Sequence, residues 1–223
     1  MGIFDIIGPV MVGPSSSHTA GAVRIGAFAR MLLAEQPVSA ILSVHGSFAA
    51  TGEGHGTPLA LLAGLLGMAP DDERIPQARE IAQEQGLQFR FEEADLGDVH
   101  PNSVRLNLTG DAGGTLEVAA SSVGGGRILV WNVDGFETGL DGEYPTILLA
   151  YPDRPGAVAI VSAILANAFI NIATIKAHRA SRGGQALMAV QLDHTPRAEV
   201  LDAVRRLPNI DQVRFVPRLG FGG

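Results

Sequence analysis

Apolar positions at Ala20, Val23, Ala27, Phe28 and Met31 recur at helical spacing and predict an amphipathic helix from Ser17 to Glu35, with Ser16 or Ser17 as its N-cap. Val38, Ala40, Leu42 and Val44 alternate as a half-buried strand ending in His45-Gly46-Ser47, and a glycine-rich loop follows. Pro58 to Gly67 reads as a short buried helix, and Gln77 to Gln85 as an amphipathic one stopped by Gly86. Four extended runs come next, at Phe89 and Phe91, at Val104, Leu106 and Leu108, at Leu116 and Val118, and at Ile128 to Val133.

The pattern then breaks. Gly135 to Glu143 is polar and glycine-bearing, which predicts a first domain over 1–138, a linker over 139–144 and a second domain over 145–223. Beyond it, a strand at Ile147 to Tyr151 precedes Pro152-Asp153-Arg154-Pro155-Gly156 and a helix to about Ala168. Strands near Ile170 to His178 and Gln185 to Leu192, a helix near Arg197 to Arg206 and a strand near Gln212 to Val216 complete a βαββαβ order, that of a ferredoxin-like plait. The expected class is therefore α+β or α/β: a mixed N-terminal domain of helices and strands, followed by the plait.

Composition changes this picture in two ways. The chain of 223 residues carries a net charge of -7 and Lys176 is its one lysine, which argues against a duplex nucleic-acid partner and for a small substrate. Met1-Gly2-Ile3-Phe4-Asp5 lacks the basic flank and apolar run of a secretory signal, and no apolar stretch is long enough to span a bilayer, so the expected location is cytoplasmic. With no cysteine, the chain offers no disulfide, no nucleophilic thiol and no thiolate for an iron-sulfur cluster. Nor do its six histidines form a close zinc-binding pair, so no metal is expected in this chain.

Gly13-Pro14-Ser15-Ser16-Ser17-His18-Thr19 is the most chemical segment. Hydroxyls placed before a helix start lie beside free backbone N–H groups and the positive end of the dipole, which suits a carboxylate. Arg24, a turn or two later, supplements that charge, and His18 can take or give a proton near neutral pH. Capping alone also explains serines here, since it needs only one of them. A phosphate-binding reading ranks lowest, because no Gly-Lys-Ser/Thr follows. His55 sits between Gly54 and Gly56 with backbone freedom on both sides, and His100 is held extended by Pro101, with Asn102 adding donor and acceptor capacity. His45, His178 and His194 are left out of the site, and Gly124-Gly125-Gly126 reads as a turn.

Two resemblances rest on these residues. Asp153-Arg154-Pro155-Gly156 followed by Asn171-Ile172 resembles an ACT domain, which implies either an amino-acid site at Asp153, Gly156 and Asn171 between two domains, or self-association alone. The first part is similar to the β subunit of iron-sulfur-dependent L-serine dehydratase. The match is carried by Gly13 to Thr19 with Gly21-Ala22-Val23-Arg24-Ile25-Gly26, by Gly46-Ser47-Phe48-Ala49-Ala50-Thr51, by Gly54-His55-Gly56-Thr57 and by His100-Pro101-Asn102. Pro58 stands where that family usually has Asp, and Ser103 where it usually has Thr.

This resemblance implies deamination of L-serine to pyruvate and ammonia, with a [4Fe-4S] cluster held on the cysteines of a partner α subunit and acting as Lewis acid. In such a site the expected catalytic groups of this chain are His18 and His55, and the expected substrate-binding ones Ser15, Ser16, Ser17, Thr19, Thr57, His100 and Asn102, with the group that removes the α-proton left open. The alternative is a non-catalytic amino-acid sensor built around the ACT-like part. No nucleic acid and no membrane are expected as partners.

Overall fold

A computed structural model describes residues 11–13 and 15–220; the leading segment Met1 to Asp5 and Pro14 lie outside the described residues. The chain divides into two compact units. One runs to Gly135 and adds Gly139–Asp141; the other comprises Phe136–Thr138 and Gly142–Leu219.

In the first unit a π-helical turn, Ser16–Gly21, leads into α1, Ala22–Leu33. Its strands are β1 (Pro37–Gly46), β2 (Gln88–Glu93), β3 (Asn102–Gly110), β4 (Thr115–Gly124) and β5 (Arg127–Val133), followed by β6 (Phe136–Leu140), of which Gly139 and Leu140 belong to this unit. They form one sheet in the order β2-β1-β3-β4-β5-β6, with β1 and β2 parallel and β1, β3, β4 and β5 antiparallel to their neighbours. Between β1 and β2 come α2 (Ser47–Ala50), α3 (Gly52–His55), α4 (Thr57–Leu65) and α5 (Ala78–Glu84). Ala40, Leu42, Val104, Leu106, Val118 and Val130 alternate inward, and α1 packs across β3, β4 and β5.

Helices α1 and α4 cross at backbone distance. A Cβ on Gly26 would lie 2.4 Å from the Leu61 carbonyl oxygen, and one on Gly64 would lie 2.1 Å from that of Val23. Two glycines in helix interiors cost about 1 kcal/mol each in propensity, which the close packing of the two backbones offsets. This crossing brings the start of α4 against the turn that opens α1.

Three expectations are corrected here. The cap of the first helix is Ser15, whose Oγ accepts the His18 N–H at 3.2 Å, and not Ser16 or Ser17, which lie inside the π turn. The glycine-rich loop after β1 is a pair of one-turn helices, α2 and α3, because the Ser47 N–H is held by the Pro101 carbonyl and the Thr51 N–H by that of Ser47. The polar stretch read as a linker contains β6, in which Thr138 and Leu140 turn inward. Asp134 and Gly135, both with positive φ, make the two-residue hairpin that starts it.

The second unit holds β7 (Thr146–Pro152), α6 (Ala157–Asn167), β8 (Ile172–Arg179), β9 (Gln185–Leu192), α7 (Ala198–Arg205) and β10 (Gln212–Val216). Its antiparallel sheet has the order β10-β7-β9-β8, the topology of a ferredoxin-like plait. Ile147, Leu149, Met188 and Val190 meet Val161, Leu165 and Val204 in its core. The mixed α and β class with a C-terminal plait is as expected. No helix among the described residues is long and apolar enough to cross a membrane.

Candidate active site

The π turn accommodates an extra residue before α1, and it carries His18 into the interior of the first unit, where the side chain is 7% exposed. Thr57, fully buried at the start of α4, lies with its Oγ1 2.8 Å from His18 Nδ1. Ser47, in the first turn of α2, has its Oγ 3.3 Å from His18 Nε2. The Ser47 hydroxyl is also 3.2 Å from Thr51 Oγ1, and Thr51 donates its own proton to the Ser47 carbonyl.

This arrangement satisfies either neutral tautomer. With the proton on Nδ1, His18 donates to Thr57 and Nε2 accepts from Ser47. With the proton on Nε2, Thr57 donates to Nδ1 and Ser47 passes its proton on to Thr51. The same ring atom can thus present a lone pair or a proton.

Burial pushes the His18 pKa below its ordinary value, and the neighbouring His55 adds to the effect. The rings of His18 and His55 are 4.9 Å apart, and Phe48 meets His18 edge-on at 5.2 Å. Both causes favour the neutral form of the His18 imidazole, while His55, at the end of α3, is exposed.

Gly46 joins β1 to α2 with a φ of 56°. There the backbone passes so close to Pro101 that a Cβ would sit 2.7 Å from its carbonyl oxygen, and that oxygen accepts the Ser47 N–H at 2.8 Å. Asn102, half-buried, pairs with Gly46 in register. Two separate stretches of sequence, Ser47–Phe48 and His55–Thr57, thus meet the His18 imidazole, and a third, Pro101–Asn102, backs the first of them.

The residues read from sequence take different places. Ser15, His18, His55 and Thr57 come together. Ser16 and Ser17 are half-buried in the same turn, with no side-chain hydrogen bond among the described residues. Thr19 is turned beneath Gly13, with its hydroxyl buried and without a hydrogen-bond partner among the described residues. His100 is exposed, and its Nδ1 accepts the Asn102 N–H at 3.1 Å within its own turn, so it supports the site's floor. Arg24, expected to add charge to the serine-rich turn, is buried and donates to the Gly126 carbonyl at 2.6 Å, closing the β4–β5 turn.

Asp153, Gly156 and Asn171 are not brought together within the second unit. Asp153 follows the end of β7 and accepts from the Gly183 N–H and from Arg179, both at 3.0 Å, which hold its carboxyl below the usual range. Gly156, with a φ of 99°, precedes α6 at that same end. Asn171 precedes β8 at the opposite end of the sheet and donates to Asp193 at 2.7 Å.

Ser47, Phe48 and Thr51 were not singled out individually from sequence. Their signal was a hydroxyl in the first turn after a strand, inside a stretch that looks like a loop.

A family described as "Serine dehydratase beta chain" matches residues 2–132. The "Probable L-serine dehydratase, beta chain" of Bacillus subtilis (strain 168) is 44% identical over 211 residues, covering 95% of this chain and 96% of its own. The "L-serine dehydratase, beta chain" of Peptoniphilus asaccharolyticus is 36% identical over 214 residues, covering 96% of each. Among solved structures, the ACT domain from GTP pyrophosphokinase of Chlorobium tepidum aligns at 16% identity with a TM-score of 0.28, covering 34% of this chain and 86% of that one. The plait itself rests on strand order rather than on that alignment. By the match over most of the first unit and the near full-length relatives, the chain belongs to the family of L-serine dehydratase beta chains.

Proposed function

We propose that this chain contributes half of the reacting centre of an L-serine dehydratase, which deaminates L-serine to pyruvate and ammonia together with a partner α subunit. The observation that carries the proposal is His18: an imidazole fixed between two hydroxyls, able to take or give a proton at Nε2, in the same turn as Ser16 and Ser17, whose hydroxyls have no hydrogen bond among the described residues.

Ser15, Ser16 and Ser17 orient the substrate carboxylate at the start of the π turn that leads into α1, where the dipole favours negative charge. His55, exposed beside His18, is the second proton-handling group, and Thr57 holds the His18 ring. The donors here are oxygen and nitrogen, and the chain has no cysteine, so its residues do not fit the thiolate set of a [4Fe-4S] cluster. We assign that cluster to the α subunit.

The second unit is proposed to serve self-association or an amino-acid response. Because Asp153 and Asn171 lie at opposite ends of its sheet, a site using both takes two copies. Family membership does not favour the reading of the whole chain as a sensor without catalysis.

Anaerobic co-expression with the cysteine-bearing α chain, followed by assay of pyruvate from L-serine, tests the proposal. His18→Ala is expected to lower turnover by about two orders of magnitude or more in the assembled enzyme. Unchanged turnover removes His18 from the reaction, and pyruvate formed by this chain alone overturns the shared centre.

A further inference from the structure

Behind the His100–Pro101 turn lies a second line of polar side chains that the proposed function does not use. Ser103 on β3 and Ser121 on β4 are direct cross-strand neighbours, 0% and 2% exposed, with their hydroxyls 2.6 Å apart. Trp131, the one tryptophan of the chain, donates its indole N–H to Ser121 Oγ at 3.1 Å. It can do so because β5 is bulged there: Ala119 pairs with Asn132 and Ala120 with Val130, so Trp131 is the extra residue. Bulges re-aim a side chain in this way.

Counting protons gives the line a direction. Ser103 donates its hydroxyl proton to the His100 carbonyl, so the proton between the two serines belongs to Ser121, whose Oγ in turn accepts the indole N–H of Trp131. Every donor is used once, all pointing toward the His100–Pro101 turn. From there the Pro101 carbonyl accepts the Ser47 N–H at 2.8 Å, and Ser47 Oγ reaches His18 Nε2.

We propose that Ser103, Ser121 and Trp131 are positioning residues that hold the His100–Pro101 turn against Gly46, and so set the Ser47 hydroxyl at the reacting nitrogen of His18. The proposal rests on the reading of His18 as the proton carrier. Ser103 is the member that touches the turn. Loss of its hydroxyl frees the His100 carbonyl and lets the floor beneath Ser47 shift, whereas loss of Ser121 leaves the Ser103 bond to His100 in place.

The test uses the assembled two-chain enzyme and L-serine. Ser103→Ala is expected to lower kcat by about tenfold with KM changed by less than about twofold, as displacement of a catalytic contact does. Ser103→Thr, which keeps the hydroxyl, restores kcat, and Ser121→Ala costs less than Ser103→Ala. The decisive measurement is the double-mutant cycle with Ser47→Ala: the effect of Ser103→Ala disappears once Ser47 has lost its hydroxyl. If the two losses multiply instead, Ser103 acts only on general stability and the relay is overturned. If Ser103→Ala does not assemble, Ser121→Ala in the same cycle decides between coupling and multiplication. Unchanged turnover in His18→Ala is a separate outcome that overturns the functional reading and the relay with it.

Discussion

Thr57→Val isolates the contact that fixes the His18 ring. Thr57 is fully buried and its Oγ1 lies 2.8 Å from Nδ1, so a methyl group of similar size replaces the hydroxyl without opening a cavity. What changes is the partner: Nδ1, inside a residue that is 7% exposed, is left with nothing to bond. An orphaned buried polar atom costs about 1–3 kcal/mol, and if that cost falls on the ring's orientation it corresponds to about 5- to 150-fold in turnover. The ring also loses one of the two hydroxyls that serve both of its tautomers, so the loss belongs in kcat rather than KM. Steady-state kinetics of the assembled enzyme with wild-type, Thr57→Val and Thr57→Ser chains measure it, alongside urea unfolding of each chain. Thr57→Ser should recover most of the activity. A Thr57→Val chain that is destabilised by the full amount yet turns over within about twofold of wild type would show that the bond supports folding and not chemistry.

Other expectations follow from the same geometry. Because burial and His55 depress the His18 pKa, the folded chain binds fewer protons than the unfolded one below about pH 6.5. This contribution to stability is complete above that pH and is lost as pH falls through the lowered folded value, which urea midpoints over a pH series will follow. In the assembled enzyme, the acid limb of kcat/KM should lie below pH 6.5, and His55→Ala should move it upward by removing one of the two causes; a limb that does not move assigns the titration to another group. Gly64→Ala should destabilise the first unit by about 1–3 kcal/mol despite its better helix propensity, because the new Cβ meets the Val23 carbonyl at 2.1 Å. Urea unfolding checks it, and a stabilised variant would mean that α1 and α4 can separate at no cost.

Local patterning reached the elements whose burial repeats with a simple period. The α1 stripe and the alternation of β1 and β3 are of this kind, since one face of each is covered along its whole length. Elements held by distant partners were not legible. Helices α2 and α3 are single turns that no propensity would form alone, and they depend on a carbonyl from Pro101 and on the turn at Gly46. Three adjacent serines are equivalent as caps until the π turn places Ser15 under the His18 N–H. Arg24 is adjacent to the serine turn in sequence, yet its partner, Gly126, is 102 residues away. Strand β6 was hidden by its threonine and glycine, although Asp134-Gly135 is a hairpin signal that local chemistry alone could have supplied.

The displacement of Arg24 alters the electrostatics of the proposed centre. A histidine oriented by a carboxylate is biased toward one tautomer and raised in pKa; His18 is instead oriented by hydroxyls, each of which can donate or accept. Little then separates its two neutral forms, and a ring of this kind can accept a proton in one step and return it in a later one without reorganising its surroundings. Among the described residues, this half of the centre offers a carboxylate hydroxyls and the start of a helix, which orient it but do not neutralise it, while the Arg24 guanidinium is turned to the Gly126 carbonyl. On the proposed function, the countercharge for L-serine must come from the face that the α subunit presents. Substrate affinity should therefore depend on assembly more steeply than the folding of either chain does.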